Sequence, residues 1–404
     1  MNEWKKVKLK DCCHSISDGD HLPPPKSNSG VPFVTIANID ATNHIDFGNT
    51  MFVPLEYYNN LNDIRKAKCN DILYSVVGSF GKPVLIKENI PFAFQRHIAI
   101  LRPNNEIADS RFLYYVMLSR DFYMQADTVA IGAAQRTISL TALRNMEVEL
   151  PSMEIQHRIA NILSRYDSLI ENYQKQIKLL EEAAQRLYKE WFVDLHFPGH
   201  ENTKIVDGVP EGWEKKPALD FFEMSIGRTP PRTQKQWFTK GSNGIPWVSI
   251  SDMKDTMFVQ ETAEELTQDA CENYNIKVIP KGTILLSFKL TVGRVAFAGA
   301  DVCTNEAIAH FQKEGDEWKA YTLMYLRNYN YDSLGNTSGI SKAVNSTIIK
   351  NMPFVMPCTA ILQEFSQRVL PFIKQTENLQ SQLRLLTEAR DRLLPKLMSG
   401  EITV

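Results

Sequence analysis

The chain has 404 residues, 43% of them hydrophobic and 23% charged, with a formal net charge of -2. This length indicates two or three domains, and the balance is typical of a soluble globular protein. The charge excludes a protein that is basic overall, so any contact with nucleic acid must use local positive charge or the charge of partner subunits. Six scattered cysteines without a CxxC pair, no secretory leader in MNEWKKVKLK and no apolar run approaching ~20 residues predict a reduced, cytoplasmic protein.

Short β-branched runs fill the first part of the chain, and Gly, Pro and Asn separate them. The runs are VPFVTIANI, DILYSVV and PFAFQRHIAIL. Such runs predict strands joined by loops, and FLYYVMLS at 112–119 predicts a short helix. We therefore expect a compact mixed α/β domain over residues 1–150.

A long helix is predicted next. From Ser152 to Phe192 there is no Pro or Gly, and apolar residues recur in steps of three and four with one stutter. This spacing predicts a heptad seam that needs a partner helix, on a rod of about 60 Å at 1.5 Å per residue. The seam includes Ile159, Tyr166, Tyr173, Ile177, Leu180 and Leu187.

The second half repeats the first. GVPFVTIANI at 30–39 returns as GIPWVSISDM at 244–253, an offset of 214, while Gly81 and Gly293 differ by 212 and Pro151 and Pro357 by 206. Ordered matches whose offset changes only between segments indicate two homologous halves. The predicted segments are a first domain at 1–150, a central helix at 151–195, a second domain at 196–356 with a linker at 196–212, and a C-terminal helix at 357–404.

The C-terminal helix carries the matching seam, with Gln375 and Arg390 as polar exceptions. Its seam residues are Phe365, Phe372, Leu379, Leu383, Leu386 and Leu393. We expect the two helices to form an intramolecular antiparallel coiled coil, because one chain holds both partners at high effective concentration. The fold class is thus α+β, with two homologous domains and a pseudo-two-fold repeat. A zipper between two chains would satisfy the same seam.

No catalytic motif is complete. NMPF at 351–354 is similar to the NPPF-type motif of adenine methyltransferases but lacks the second proline, and no FxGxG loop precedes it. GSFGK at 78–82 lacks the spacing of a phosphate-binding loop. Pro198 and Gly199 separate His196 from His200, so these histidines do not share a helical face and a metal site is not expected.

Polar and basic side chains recur on the predicted loops of both halves. These are the residue types that read base edges and clamp phosphates. In the first half the candidates for DNA contact are Ser17, His21, Lys26, Ser75, Ser79, Lys82, Gln95, Arg96, Gln135 and Arg136. In the second half they are Arg228, Thr229, Arg232, Lys235, Ser249, Ser251, Lys289, Arg294, Asn305 and Lys342.

Three phrases beside the long helices resemble the specificity subunit of type I restriction-modification systems. They are WFVDLHFPG at 191–199, VPEGW at 209–213 and LLPKLMSGEI at 393–402. The order of variable domain, long helix, variable domain, long helix is similar too. Two departures concern the P-x-x-E-Q pattern that opens each helix in the family: the copy at 151–156 has one extra residue, and the copy at 357–363 lacks the Glu.

This resemblance implies a DNA-reading subunit without catalysis of its own. Each target recognition domain would read one half of a split DNA site. The long helices would separate the domains and dock two methyltransferase (M) subunits, and restriction (R) subunits would join for cleavage. The cofactor S-adenosylmethionine would lie in the adenine-specific methyltransferase subunit, with none bound by this chain. Since the loops of the two domains differ, the DNA target should be asymmetric.

Two other classes of protein stay open. Duplicated domains spaced by a coiled coil could form a scaffold that binds proteins or peptides. A fused restriction or modification enzyme is disfavoured by the missing catalytic motifs.

Overall fold

The computed structural model of the protein describes residues 4–21, 23–40, 42–133, 135–241, 244–334 and 344–404. The chain forms two compact units. The first unit comprises Met1–Ile170 and Leu386–Val404, and the second comprises Glu171–Leu385. Each long helix therefore contributes residues to both units. The predicted domain limits at 150, 195 and 356 stay predictions.

The first unit is built around a four-stranded antiparallel sheet of order β2-β8-β5-β6. A smaller sheet has the order β4-β3-β7, with β3 and β7 parallel, and β1 pairs with β9. The strands are β1 Lys5–Lys8, β2 Cys13–Asp18, β3 Val31–Val34, β4 Met51–Val53, β5 Ile72–Ser75, β6 Pro83–Leu85, β7 Ala93–Phe94, β8 Ile98–Pro103 and β9 Glu147–Leu150. The helices are α1 Leu55–Asn60, α2 Ser110–Leu118, α3 Arg120–Val129, α4 Leu140–Asn145 and α5 Met153–Tyr188.

The second unit repeats this plan with one more strand in the main sheet, whose order is β13-β21-β18-β19-β16. A second sheet has the order β14-β17-β15-β20, and β12 pairs with β22 and β10 with β11. The strands are β10 Ile205–Val206, β11 Val209–Pro210, β12 Glu214–Pro217, β13 Glu223–Ile226, β14 Phe238–Thr239, β15 Ile245–Val248, β16 Phe258–Val259, β17 Glu264–Leu266, β18 Ile284–Ser287, β19 Val295–Ala298, β20 Cys303–Thr304, β21 Ile308–Gln312 and β22 Pro353–Met356. The helices are α6 Gln268–Asn273, α7 Lys319–Asn328, α8 Ser346–Lys350 and α9 Thr359–Met398.

The elements predicted from the sequence are present. The run at 112–119 lies in α2, whose first turn is capped by the Asp109 carboxylate accepting from the amides of Arg111 and Phe112. The central strands of both main sheets are buried on both faces, as in Ile72–Ser75 and Ile284–Ser287. This burial explains why these strands read as continuous apolar runs rather than as alternating ones.

The repeat extends to single hydrogen bonds. The buried Ser75 hydroxyl donates to the Ser79 carbonyl over 2.9 Å and accepts from the Lys82 amide over 2.9 Å. In the second unit, 212 positions later, the buried Ser287 hydroxyl donates to Thr291 over 2.6 Å and accepts from Arg294 over 3.0 Å. The two halves are therefore copies of one fold, as the sequence offsets predicted.

The helix α5 ends at Tyr188 and continues as a π-helical turn, Lys189–Val193. The aromatic residues of this turn explain the phrases WFVDLHFPG and VPEGW. The Phe192 ring lies 5.7 Å from Trp213 and 4.9 Å from Phe365, and Phe197 lies 5.1 Å from Trp213. The two phrases thus pack together on the start of α9 inside the second unit.

Within each unit, the beginning of one long helix contacts the end of the other. In the first unit Arg390 Nη1 lies 3.0 Å from Asp167 Oδ1, and Leu397 joins the core that contains Ile159 and Leu163. In the second unit the rings of Trp191 and Phe365 are 5.7 Å apart. Each predicted seam residue is buried or half-buried. Pairing of the helices along their whole length stays a prediction.

Candidate nucleic-acid interface

The loops that carry most of the predicted contacts leave the main sheet at one edge. In the first unit, Asp18 ends β2 opposite Ala99, and Ser75 ends β5 opposite Ile98, the first residue of β8. Because these residues stand in adjacent rows, the segments that follow β2 and β5 and the turn that precedes β8 emerge side by side. The β-sheet register therefore brings together residues that are distant in the sequence.

Two glycines allow these segments to approach each other closely. A Cβ on Gly19 would lie 2.1 Å from the Phe94 carbonyl oxygen, and one on Gly227 would lie 2.0 Å from Thr304 Oγ1. Atoms at such distances clash, so the chain crosses here only without a side chain. The same crossing in both units shows that the loop edge is part of the duplicated scaffold.

A cleft of about 370 Å³ opens at this edge in the first unit. Its lining contains one cationic side chain, one carboxylate and several neutral side chains that can donate or accept hydrogen bonds. The lining residues are Asp18, Val76, Val77, Arg96, His97, Gln135, Thr137, Ile138, Ser139 and Leu140. Side chains of these types can pair with the donor and acceptor edges of bases.

The loop that follows β2 is held by residues from a distant segment. The Tyr57 hydroxyl donates to Asp20 Oδ2 over 2.6 Å, and Arg65 Nη1 lies 3.3 Å from Asp20 Oδ1. Burial and the bond to Asp20 raise the pKa of Tyr57, so the phenol stays a donor. No sequence pattern points to Tyr57 and Arg65, because nothing local links them to a loop more than thirty residues away.

Seven predicted residues of the first unit line the cleft or lie on other loops of this unit. Arg96 and Gln135 line it directly. His21 Nε2 lies 2.8 Å from Asp18 Oδ2. Four further positions are found on neighbouring loops: Lys26 and Ser79 are exposed, and Lys82 and Gln95 are half-buried.

Other predicted residues are occupied inside the protein. The buried Ser17 hydroxyl donates to the Ile64 carbonyl over 3.0 Å, and Ser75 binds its own hairpin as described above. Arg136 donates to the Asp127 side chain and backbone, with its guanidinium 5.5 Å from the Phe80 ring centre. These three groups support the loops that surround the cleft.

The second unit places a carboxylate in the equivalent turn, directly before β21. The Thr229 hydroxyl donates to Glu306 Oε2. Burial opposes ionisation, but the bond from Thr229 and the charges of Lys289 and Arg232 lower the pKa of Glu306. Glu306 is therefore an ionised, oriented acceptor among cations.

Aromatic rings position one of those cations. The Arg232 guanidinium lies 4.5 Å from the ring centres of both Phe238 and Trp247, and its Nη1 is 2.6 Å from Glu264 Oε2. Stacking and the ion pair restrict a side chain that would otherwise be mobile. The sequence singled out Arg232 but not Glu264 or Trp247.

The remaining predicted residues of the second unit divide in the same way. Arg228, Lys235 and Ser251 are exposed, although Arg228 Nη1 donates to the Tyr274 carbonyl over 3.4 Å and the Ser251 hydroxyl lies 2.6 Å from Ser249 Oγ. Others bind within the fold: Ser249 Oγ donates to Asp252 Oδ2 over 2.6 Å, Arg294 Nη1 donates to the Ile250 carbonyl over 2.7 Å, and Asn305 Oδ1 accepts from the Ala307 amide over 3.0 Å. Lys342 lies outside the described residues.

A buried histidine supports this edge from below. His310 Nδ1 lies 2.8 Å from the Ser225 hydroxyl, and Nε2 lies 2.7 Å from the Thr304 hydroxyl. The Thr304 hydroxyl also donates to the Asn305 carbonyl, so Nε2–H donates to Thr304 and Nδ1 accepts from Ser225. Burial lowers the pKa of His310 to about 4, which keeps this network neutral.

Among the described residues, no group of three or more His, Cys, Asp or Glu side chains could hold a metal ion. In the same part of the chain, no helix is long and apolar enough to cross a bilayer.

Comparison with known proteins agrees with the repeat. The family model described as "Type I restriction modification DNA specificity domain" matches residues 1–182 and again 210–387. The chain is 28% identical to the type I restriction enzyme MjaIX specificity subunit of Methanocaldococcus jannaschii over 73% of this chain and 69% of that protein. It is 23% identical to the HindI specificity subunit of Haemophilus influenzae over the full length of both.

A crystal structure of the type I restriction-modification S subunit from M. genitalium shares the fold. Its TM-score is 0.65, at 16% identity, over 98% of this chain and 96% of that chain. The two family matches cover both halves of the repeat that the sequence predicted. The chain belongs to the type I restriction-modification DNA specificity family.

Proposed function

We propose that this chain is the non-catalytic subunit that reads an asymmetric, two-part DNA target, one half-site for each unit. One observation carries the proposal: the turns before β8 and β21 have the same backbone but opposite charges. Gln95 and Asn305 donate to the carbonyls of β3 and β15, and Ile98 and Ile308 donate back to Gln95 and Asn305. The position after Gln95 is Arg96, and the position after Asn305 is Glu306.

Opposite charges at one position select opposite base edges. An arginine donates two hydrogen bonds to O6 and N7 of guanine, whereas a glutamate accepts from the amino group of cytosine. Arg96 lies exposed in the cleft, and Glu306 is ionised and oriented by Thr229. The two units share a scaffold but carry side chains of opposite charge at the same turn position. This difference favours a DNA target whose two halves differ.

The long helices support the rest of the proposal. Helix α5 has 36 residues and α9 has 40, or about 54 and 60 Å at 1.5 Å per residue. The contacts of their ends within each unit favour antiparallel pairing. We infer that helix length sets the number of unread base pairs between the half-sites. The same helices would dock two adenine methyltransferase subunits, which bind S-adenosylmethionine, and restriction subunits would join that complex.

Methylation mapping tests the proposal. The chain is co-expressed with its methyltransferase subunit in a host without other adenine methylation, and every methylated adenine in the genome is located. We expect a motif of two short halves with a fixed gap. A continuous palindrome, or a scaffold that supports no methylation, contradicts the proposal.

Two variants then assign the readers. Glu306→Gln should relax the motif at one position of one half-site, and Arg96→Gln should do the same in the other half-site. Each loss is expected to be about 1–3 kcal/mol of discrimination at that position. Glu314→Gln is the matched control, because Glu314 is an exposed carboxylate beyond the other end of β21. An unchanged motif for both variants would contradict the assignment of Arg96 and Glu306 as base contacts.

A further inference from the structure

The hairpin between β18 and β19 carries an unusual leucine near its tip. The Leu290 side chain is 79% exposed, and its backbone φ is 61°. Left-handed backbone is unfavourable for leucine because Cβ approaches the following carbonyl oxygen. The equivalent residue in the first unit, also three positions after the hairpin serine, is Gly78 with a φ of 67°. Glycine adopts this conformation without strain.

Other residues with positive φ have a local reason that Leu290 lacks. Apart from glycines, those in the described part of the chain are Asn43, Asn70, Leu195, Asp207, Asp255, Asn275 and Leu290. Asn and Asp tolerate left-handed backbone. Leu195 packs against the core of the second unit. Leu290 alone in this set combines backbone strain with an apolar side chain held in water.

The hairpin that carries Leu290 also carries two cations and lies within electrostatic reach of Glu306. Lys289 precedes Leu290, and the charge of Lys289 reaches Glu306. The hairpin closes at Arg294, whose guanidinium is fixed on the Ile250 carbonyl. Strained backbone of this kind clusters at functional sites, and the positive charge of Lys289 and Arg294 on the same hairpin favours a polyanion as the partner.

We propose that Leu290 contacts the 5-methyl group of a thymine in the major groove, within the half-site read by the second unit. This inference rests on the proposed DNA-reading function and adds a base to it. The thymine methyl is the apolar group on the major-groove edges of the bases. Contact between it and the leucine removes apolar surface of both from water. A glycine at this position could not make the contact.

The experiment measures DNA binding and thermal stability of the complete complex with its methyltransferase subunits. Affinity is determined by fluorescence anisotropy on the mapped target and on duplexes in which each thymine is replaced in turn by uracil, which lacks the methyl group. For the wild type we expect one uracil position to weaken binding about fourfold, the effect of burying one methyl group. For Leu290→Gly we expect the same weakening on the thymine duplex and no further loss at that uracil.

The stability readout separates recognition from folding. Leu290→Gly should keep or raise the melting temperature because it removes the backbone strain, so weaker binding cannot reflect unfolding. Leu219→Ala is the matched control: this exposed leucine of the second unit lies in the turn Ala218–Asp220, and both affinity and the uracil effect should match the wild type.

Three results would overturn the inference. The first is that Leu290→Gly binds with wild-type affinity, and the second is that replacing thymine by uracil still weakens the binding of that variant. The third is a target that has no thymine on either strand of the half-site read by the second unit. If the wild-type complex binds no specific sequence, the proposed function fails instead. The two failures are thus distinguishable.

Discussion

His310 should make the second unit sensitive to acid. Its pKa in the folded protein is about 4, compared with about 6.5 in an unfolded chain. Since the folded pKa is the lower of the two, only the unfolded state binds the proton between these values, and stability falls as pH falls. Lowering the pH from 7 to 5 should reduce the free energy of unfolding by about 2 kcal/mol, and the full loss of about 3 kcal/mol is reached below pH 4.

The matched substitution is His310→Ile. The first unit has Ile100 at this place, since Ser17 pairs with Ile100 as Ser225 pairs with His310. The variant removes the hydrogen bonds of the imidazole to the Ser225 and Thr304 hydroxyls. It should therefore be less stable than the wild type at pH 7. The free energy of unfolding of the variant should nevertheless change less between pH 7 and pH 5 than that of the wild type, by about 2 kcal/mol.

Urea unfolding followed by tryptophan fluorescence measures this difference. Five of the six tryptophans, all except Trp4, lie in the second unit, so the signal reports mainly on that unit. His196→Asn is the control, because His196 is exposed. The free energy of unfolding of this variant should change between pH 7 and pH 5 by as much as that of the wild type. If His310→Ile responds to pH as strongly as the wild type, the burial of His310 is not what makes the second unit sensitive to acid.

Two further substitutions test contacts that hold each unit together. Ser287→Ala removes a buried acceptor from the Arg294 amide and should cost about 1–3 kcal/mol, measured by the same fluorescence assay. Arg390→Leu removes the cation from Asp167, which also accepts from the Tyr115 hydroxyl over 2.6 Å. Because this pair is partly exposed, we expect a loss of about 1–2 kcal/mol in the calorimetric transition of the first unit; no change would mean that solvent already screens the pair.

The sequence was sufficient for the plan of the fold because that plan depends on local patterns. Periodicity located both long helices, and the offsets of 214, 212 and 206 placed equivalent strands in the two halves. The polar exception at Arg390 could not be explained from sequence, since its partner Asp167 is 223 positions away. The heptad pattern uses only the spacing of apolar residues, so it could not predict this ion pair.

The details of the interface depend on long-range contacts that no local pattern records. Residue type and predicted loop position favour Ser17 and Ser75 as DNA contacts, but both lie in strands, and burial turns both hydroxyls into supports of the fold. The role of Glu306 depends on Thr229, which is 77 positions away. Its charge alone would have argued against contact with a polyanion.

The two halves of the chain differ in a way that separates scaffold residues from residues that read DNA. Ser75 and Ser287 are the same residue in the same bonds, so their retention is explained by the hairpin that each one closes. Arg96 and Glu306 share a backbone but differ in charge, and that backbone has no need of either charge. In a duplicated binding protein, shared chemistry at equivalent positions therefore indicates what folding requires. Differences on an unchanged backbone indicate what each copy recognises, and the same reasoning sets the strained Leu290 apart from Gly78.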